Sequence, residues 1–194
     1  MTLIDTHAHI YYEDYSNRID DVISAAADNG VKKIISIGVD LKTSEECMKM
    51  AEKYECVYAT CGIHPHESEK APKGYLYELE QFYKHSKVLA VGEIGLDYYY
   101  DFSDRKTQRK IYQEQLEMAN SLTLPAVVHC RESDDDILSG IQESSHKSGV
   151  IHCFASKLDF AEKILETGFY LSFTGMITFV KELKEVVREV PLSK

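Results

Sequence analysis

The feature that most constrains the fold is a repeat of short apolar runs, each followed by an amphipathic segment. The seven runs are Leu3 to Ile4, Lys33 to Val39, Val57 to Ile63, Val88 to Ile94, Leu124 to Val128, Val150 to Ile151 and Phe169 to Phe173. They are rich in Val and Ile, and several show no polar alternation, which is typical of strands buried on both faces of a parallel sheet. A strand followed by a helix, seven times over, predicts an α/β protein.

The segments between these runs predict the helices that would cover the sheet. An apolar stripe begins at Ile19 and stops at Asn29-Gly30, and Thr43 with Glu46 forms a capping-box pattern at a second helix start. Further helices are predicted around Leu76 to Tyr83, from about Asp104 to Leu122, from near Ser133, from near Lys157 to Gly168, and over Leu183 to Val187.

The spacing of the predicted strand ends indicates how the strands are arranged. The ends lie 20 to 36 residues apart, close to the ~31 residues per unit of a (β/α)8 barrel of ~250 residues. We therefore predict a TIM-type (β/α)8 barrel truncated to about seven βα units. The alternative is an open doubly wound sheet, which would normally carry a Gly-rich phosphate turn after its first strand. The DTHAHI stretch is not such a turn.

The cysteines and the net charge argue against several classes of protein. The five cysteines form no CxxC pair and are odd in number, which argues against a disulfide framework and a structural zinc site. No apolar run approaches the ~20 residues that span a bilayer, and MTLIDTHAHI does not resemble a secretory signal, so we expect a cytoplasmic protein. The net charge of −10 argues against a broad basic face for nucleic acid, so metal ions and a few local cations would have to meet any phosphate.

Polar side chains gather where the apolar runs end. Six of the eight histidines lie there together with one glutamate: His7, His9, His64, His66, Glu93, His129 and His152. The carboxyl ends of the strands form the mouth of a parallel barrel, where active sites are built. Burying these groups without a shared partner would cost on the order of 1–3 kcal/mol each. We therefore expect them to bind divalent metal ions.

Spacing and side-chain chemistry suggest how such ions would be held. His7 and His9 are two residues apart on a strand, so both imidazoles point to the same side and can grip one ion. Glu93 lies between Gly92 and Gly95, which permit close approach of backbone and ligands. Its carboxylate could bridge two ions. The alternative is a single-ion site in which Glu93 is an acid–base group or lies outside the ligand shell.

Six stretches together resemble the TatD family of metal-dependent deoxyribonucleases. They are DTHAHI at 5–10, GIHPH at 62–66, GEIGLDYYYD at 92–101, RKTQRKIYQEQLEMA at 105–119, LPAVVHCRES at 124–133 and IHCFAS at 151–156, and they cover the chain in order. The resemblance implies a barrel-type cytoplasmic hydrolase that cleaves phosphodiester bonds in DNA, often from the 3′ end. It also implies two divalent cations, of Mg, Mn or Zn, which these ligand types do not distinguish.

The resemblance assigns roles by motif match. His7 and His9 correspond to ligands of one ion, His129 and His152 to ligands of a second, and Glu93 to the carboxylate that bridges both. In the expected mechanism the ions activate a water that attacks phosphorus, and Glu93 is the catalytic residue that holds them.

Two residues are expected to contact the substrate. His64 matches a family histidine near the substrate, and Arg131 is a candidate phosphate contact. Both would stabilise the added negative charge of the transition state. The alternative for Arg131 is an ion pair with a loop carboxylate.

The chain departs from the family pattern at two places. Ala155 stands where a hydroxyl residue is common in the family. The family's last strand also carries an aspartate that ligates the first ion, and it would follow PLSK, where this sequence ends at Lys194. We therefore expect residues 1–194 to form a single metal-dependent hydrolase domain that lacks the final strand and helix.

Two rival functions stay open at this stage. An amidohydrolase acting on amides or esters would use the same histidines, and a non-catalytic fragment would only bind metal. For the nuclease, the predicted partner is DNA as substrate, with no membrane and no obligate protein partner. In a seven-unit barrel the first and last strands are open edges through which the chain could self-associate.

Overall fold

Seven parallel strands form one sheet and lie side by side in chain order, from β1 to β7. A computed structural model describes residues 2–15, 17–100, 102–191 and 193. The strands are β1 (Leu3–Ala8), β2 (Val31–Ile37), β3 (Val57–Cys61), β4 (Val88–Asp97), β5 (Ala126–Arg131), β6 (Gly149–Ile151) and β7 (Tyr170–Leu171). The helices are α1 (Ile19–Asp28), α2 (Leu41–Lys53), α3 (Tyr75–Phe82), α4 (Arg105–Leu122), α5 (Asp134–Ser144), α6 (Leu158–Glu166) and α7 (Lys181–Glu189).

The strictly sequential order of the strands is the order of a (β/α) barrel, and it differs from the crossed-over order of a doubly wound sheet. Every neighbouring pair is parallel, and at least one α-helix lies between consecutive strands. This arrangement confirms the prediction of a TIM-type fold with seven βα units. It also brings the carboxyl ends of all seven strands to the same edge of the sheet.

Strand β4 lies at the centre of the sheet and is its most buried strand. Val91, Ile94 and Leu96 of β4 are fully buried and belong to an apolar core with Ile137 and Ile141 of α5. A second core packs α2 and α3 against β3. The absence of polar alternation in Val88 to Ile94 therefore reflects burial on both faces, as expected.

Strand β1 differs from this expectation. Leu3 and Ile4 are 40% and 54% exposed, and β1 pairs only with β2 within the described ranges. The apolar run is thus at an edge of the sheet instead of being covered on both faces. The strand is also longer than its apolar run. It continues through the polar residues Asp5 to His7 and ends at Ala8.

The capping residues at two helix starts were predicted from the sequence, and one of the two predictions was wrong. Asp104 accepts hydrogen bonds from the backbone amides of Lys106 and Thr107 and so caps α4 where predicted. The interpretation of Thr43 with Glu46 as the capping box of α2 was wrong. Asp40 caps that helix, and its carboxylate accepts the amide of Thr43 at 2.7 Å, while the Thr43 hydroxyl accepts the amide of Asp40. Asp40 directly precedes the first helical residue, Leu41, so its carboxylate is placed to accept a free amide of the first turn, and Thr43 takes the reciprocal position three residues later.

The ends of two strands differ from the predicted runs in a way that matters for the site. Strand β4 continues past Ile94 to Asp97, and β5 continues past Val128 to Arg131. The β4 extension passes through Gly95 and ends at Asp97, and the β5 extension begins at His129 and ends at Arg131, so apolar runs that stop at Ile94 and Val128 did not predict them. No helix in the described part of the chain is long and apolar enough to cross a membrane.

Candidate metal centre

Glu93 of β4 lies at the centre of the predicted cluster and is only 3% exposed. Its two carboxylate oxygens divide the surrounding imidazoles into two sets. The Oε2 atom lies 3.4 Å from His7 Nε2 and 3.9 Å from His9 Nε2. The Oε1 atom lies 2.8 Å from His152 Nε2 and 3.1 Å from His129 Nδ1. Each oxygen thus faces one of the two ligand pairs that the sequence motifs suggested.

The backbone around Glu93 approaches β5 so closely that only glycine fits on either side. A Cβ atom at Gly92 would lie 2.7 Å from Cβ of Val127. At Gly95, where φ is +133°, a Cβ atom would lie 2.0 Å from the carbonyl oxygen of His129. These two glycines allow β4 to place Glu93 beside His129.

Glu93 is ionised despite its burial. Burial alone would raise the pKa of this carboxyl, but contacts with His129, His152 and His7 outweigh it and hold the pKa well below the usual range. A buried carboxylate surrounded by imidazoles is the kind of ligand set that divalent transition metals accept.

The tautomer of His9 leaves its Nε2 atom free to bind a cation. Its Nδ1 atom lies 3.2 Å from the carbonyl oxygen of Ile37 in β2 and 3.1 Å from the hydroxyl of Tyr11, which can accept as well as donate. A carbonyl can only accept, so Nδ1 carries the proton and Nε2 carries the lone pair that faces Glu93. Burial lowers the pKa of His9 and keeps the ring neutral. This pattern, with one ring nitrogen bonded to the backbone, is typical of metal-binding histidines.

His129 lies between two carboxylates. Its Nδ1 atom faces Glu93, and its Nε2 atom lies 3.0 Å from Oδ2 of Asp97. Burial opposes a charge on this ring, but the bonds to Asp97 and Glu93 outweigh burial and raise the pKa of His129 to about 9. Asp97 also lies 2.9 Å from His66 Nε2. Burial would raise the pKa of Asp97, but its bonds to His129 and His66 lower it further than burial raises it.

His64 has the opposite tautomer to His9. Its Nδ1 atom accepts the backbone amide of His66 at 3.1 Å. Burial lowers the pKa of His64 to about 3, so the ring is neutral and Nε2 carries the proton. That N–H points toward Glu93 Oε1, 3.6 Å away. His64 lies close enough to Glu93 and His129 to share an ion with them, but as a neutral donor it is better suited to contact an anion.

The ring nitrogens of His7 bear on whether this cluster fits a metal ion. Both ring nitrogens of His7 are buried and have no hydrogen-bond partner within the described residues. The ring stacks on that of His152, with centroids 3.8 Å apart and planes 5° apart. Buried polar atoms without partners are costly. A cation that takes up the one lone pair of the neutral His7 ring removes the part of that cost that falls on the acceptor nitrogen, so the residues fit a metal site.

A cavity of about 870 Å³ opens beside the cluster. His129, Arg131 and His152 line it, together with Ala155 and Ser156. Arg131 was expected either to contact a phosphate or to pair with a loop carboxylate. Within the described part of the chain no carboxylate lies within ion-pair distance of Arg131, whose guanidinium stacks on Tyr99 and Tyr100 at 4.0 and 4.6 Å.

Sequence reasoning missed Asp97. The residue is 1% exposed and contacts two of the six clustered histidines. It follows Glu93 by four residues on one strand, a spacing that puts both side chains on the same face. That periodicity was the available signal, but the strand was predicted to end at Ile94.

Fold and site together define a metal-dependent hydrolase of the barrel type. Residues 4–194 match the family model described as TatD related DNase, and the chain belongs to the TatD family.

Individual relatives agree with this assignment. The metal-dependent hydrolase YabD of Bacillus subtilis is 35% identical over 193 residues, which cover 97% of this chain and 76% of the relative. Deoxyribonuclease Tat-D of Schizosaccharomyces pombe is 32% identical over 95% of this chain and 64% of its own length. The crystal structure of YjjV, a TatD homologue of Escherichia coli, has a TM-score of 0.93 and 31% identity, and covers 98% of this chain and 76% of that protein.

Proposed function

We propose that this chain hydrolyses phosphodiester bonds in DNA with two divalent cations. The observation that supports two cations is the division of imidazoles between the oxygens of Glu93. His7 and His9 would hold one ion at Oε2, and His129 and His152 would hold the other near Oε1. Such cations act as Lewis acids and make a water molecule nucleophilic near neutral pH.

The remaining polar groups have defined tasks in this proposal. Glu93 stays ionised and holds the two sets of imidazoles in one place. Asp97 accepts from His129 and fixes the orientation of that ring. The Nε2–H of His64 would donate to a phosphate oxygen, because its neutral tautomer has a donor on the side that faces the cluster.

Arg131 would supply the positive charge that the rest of the chain lacks. The net charge is −10, and Arg131 lines the cavity next to His129 without a carboxylate partner in the part of the chain described. Two nearby acids are already engaged. Asp134 accepts the hydroxyl of Ser156, and Asp136 pairs with Arg109 at 3.1 Å. Glu132 and Asp135 also line the cavity, but no carboxylate in the described part of the chain lies within ion-pair distance of Arg131, so Arg131 would be the cation available to a phosphate there.

Two further parts of the proposal concern substrate and location. DNA is favoured over amides because a relative is named a deoxyribonuclease and because His64 and Arg131 both donate to anions. A cytoplasmic location agrees with five free cysteines, which stay reduced there.

The test is metal-dependent hydrolysis of an end-labelled single-stranded oligodeoxynucleotide with Mg²⁺ or Mn²⁺. We expect wild type to cleave it, Glu93→Ala to lose at least ~100-fold in rate, and the exposed control Glu162→Ala on α6 to match wild type. Equal rates in Glu93→Ala and wild type would contradict the proposal. Hydrolysis of amide or carboxylic ester substrates, with no cleavage of the oligonucleotide, would favour an amidohydrolase instead.

A further inference from the structure

A side-chain contact joins two neighbouring parts of the cavity wall beside the metal centre. Arg131 ends β5 and Asp134 begins α5, whereas Ser156 lies in the loop between β6 and α6. The hydroxyl of Ser156 donates to Oδ2 of Asp134. All three residues line the cavity, so the contact lies where a bound substrate would meet it.

Both oxygens of the Asp134 carboxylate accept a hydrogen bond. The Oδ1 atom accepts the thiol of Cys130 at 3.4 Å, and the Oδ2 atom accepts the hydroxyl of Ser156. A thiol is a weak donor, so the contact with Ser156 is the stronger of the two. The position of the Asp134 carboxylate therefore depends mainly on Ser156.

Arg131 lies close to Asp134 in the sequence but does not pair with it. The two residues are separated by a tight turn in which Glu132 has a φ of +53°. They line the same cavity, and the Asp134 carboxylate is turned to Cys130 and Ser156 instead. A carboxylate released from these contacts could rotate toward the guanidinium of Arg131 and form an ion pair.

Asp134 is the carboxylate best placed to compete with a phosphate for Arg131. Glu132 and Asp135 also line the cavity, but both are exposed to solvent. Ion pairs between exposed side chains contribute little, because water screens them. Asp134 is half-buried, so a pair that it formed would be screened less.

We propose that Ser156 is a positioning residue that holds the Asp134 carboxylate away from Arg131 and so leaves the guanidinium free to bind a substrate phosphate. This role rests on the proposed function, in which Arg131 supplies a local cation to a chain with a net charge of −10. An internal carboxylate that neutralised Arg131 would weaken the binding of any phosphodiester. The hydroxyl of Ser156 thus acts on the substrate only through Asp134 and Arg131.

The experiment measures kcat/KM on the end-labelled oligodeoxynucleotide with Mn²⁺. We expect Ser156→Ala to lower it about 5-fold, the size of a partly screened ion pair between Arg131 and Asp134. Ser156→Thr should stay near wild type, because it keeps the hydroxyl. Ser139→Ala on α5 is the matched control, because its hydroxyl also donates to a carboxylate, that of Glu143 at 2.9 Å, and both side chains are exposed.

Removing the charge of Asp134 separates this role from a role in folding. We expect Ser156→Ala/Asp134→Asn to recover kcat/KM to within ~2-fold of wild type, because asparagine cannot form an ion pair with Arg131. Ser156→Ala/Asp135→Asn removes the same charge from an exposed neighbour and should not recover. Wild-type kcat/KM in Ser156→Ala, a loss that Asp134→Asn does not reverse, or equal recovery with Asp135→Asn would overturn the inference.

Wild type that does not hydrolyse the oligonucleotide would instead refute the proposed function. In that case, the rate at which phenylglyoxal modifies Arg131, followed by mass spectrometry, decides about Ser156, because an ion pair protects a guanidinium. We expect slower modification in Ser156→Ala than in wild type, and the wild-type rate in Ser156→Ala/Asp134→Asn. The same rate in all three proteins, or slower modification that Asp134→Asn does not reverse, would overturn the inference.

Discussion

His129 Nε2 lies 3.0 Å from Oδ2 of Asp97, and the other nitrogen of the same ring faces Glu93. A carboxylate that holds the far nitrogen of a metal-binding imidazole fixes its tautomer and makes it a stronger ligand. We therefore propose that Asp97 is a positioning residue for the candidate metal centre.

Asp97→Asn should weaken Mn²⁺ binding by ~10- to 100-fold, as measured by isothermal titration calorimetry. Asparagine keeps an oxygen that can accept the amides of Tyr99 and Tyr100, so the nearby backbone should persist while the negative charge is lost. Asp159→Asn on α6 is the control, because that side chain is 71% exposed. Wild-type affinity in Asp97→Asn would show that the contact with His129 does not support metal binding.

Metal binding should release a proton and strengthen as pH rises. The pKa of His129 is about 9 in the metal-free chain, since its bonds to Asp97 and Glu93 outweigh burial. The ring is thus protonated at pH 7 and must lose a proton to offer a lone pair. As pH rises through about 9 this proton is already lost, so the release declines.

Calorimetric titrations with Mn²⁺ at pH 7, in buffers of different ionisation enthalpy, measure this release. We expect about one proton per chain from His129. In Asp97→Asn the pKa of His129 should be lower and the release smaller. If Mn²⁺ binding releases the same number of protons at pH 7 and above pH 9, His129 is not the group that loses the proton.

Gly95 should be required for folding as well as for the site. A Cβ atom there would lie 2.0 Å from the His129 carbonyl oxygen, and φ is +133°. We expect Gly95→Ala to lower the free energy of unfolding by about 3 kcal/mol or more in urea titrations. Gly74→Ala is the control, because Gly74 also has positive φ (+85°) but has no neighbour within 4 Å of its would-be Cβ atom.

The control measures the cost of a positive φ at a position where the added Cβ atom meets no neighbour. Gly74→Ala should cost only about 1 kcal/mol, the penalty of a left-handed backbone. If Gly95→Ala costs no more than Gly74→Ala, the close approach of β4 to β5 is not what requires a glycine.

Much of the site could be predicted because strand ends are visible in sequence. The i, i+2 spacing predicts that His7 and His9 point to the same side; His7 lies in β1 and His9 directly after it, and both face Glu93 Oε2. His129 and His152 follow apolar runs, and parallel pairing brings the ends of β5 and β6 to the same edge. Periodicity and parallel topology were sufficient for these positions.

Other features depend on contacts that no local pattern encodes. The tautomer of His9 is set by Ile37, 28 residues away. Asp97 was missed because β4 continues through Gly95, whose positive φ lies outside the ordinary strand region. The exposure of Tyr99 and Tyr100 could not be predicted either, because the backbone that carries them is held by hydrogen bonds from their amides to Asp97.

The central claim is that the carboxylate of Glu93 is shared by two cation sites. Equilibrium dialysis against Mn²⁺ tests it by counting the ions bound per chain to wild type, Glu93→Ala and the exposed control Glu162→Ala. We expect two ions for wild type and for the control, and loss of both in Glu93→Ala. Glu93→Ala that retains the wild-type metal content would contradict it.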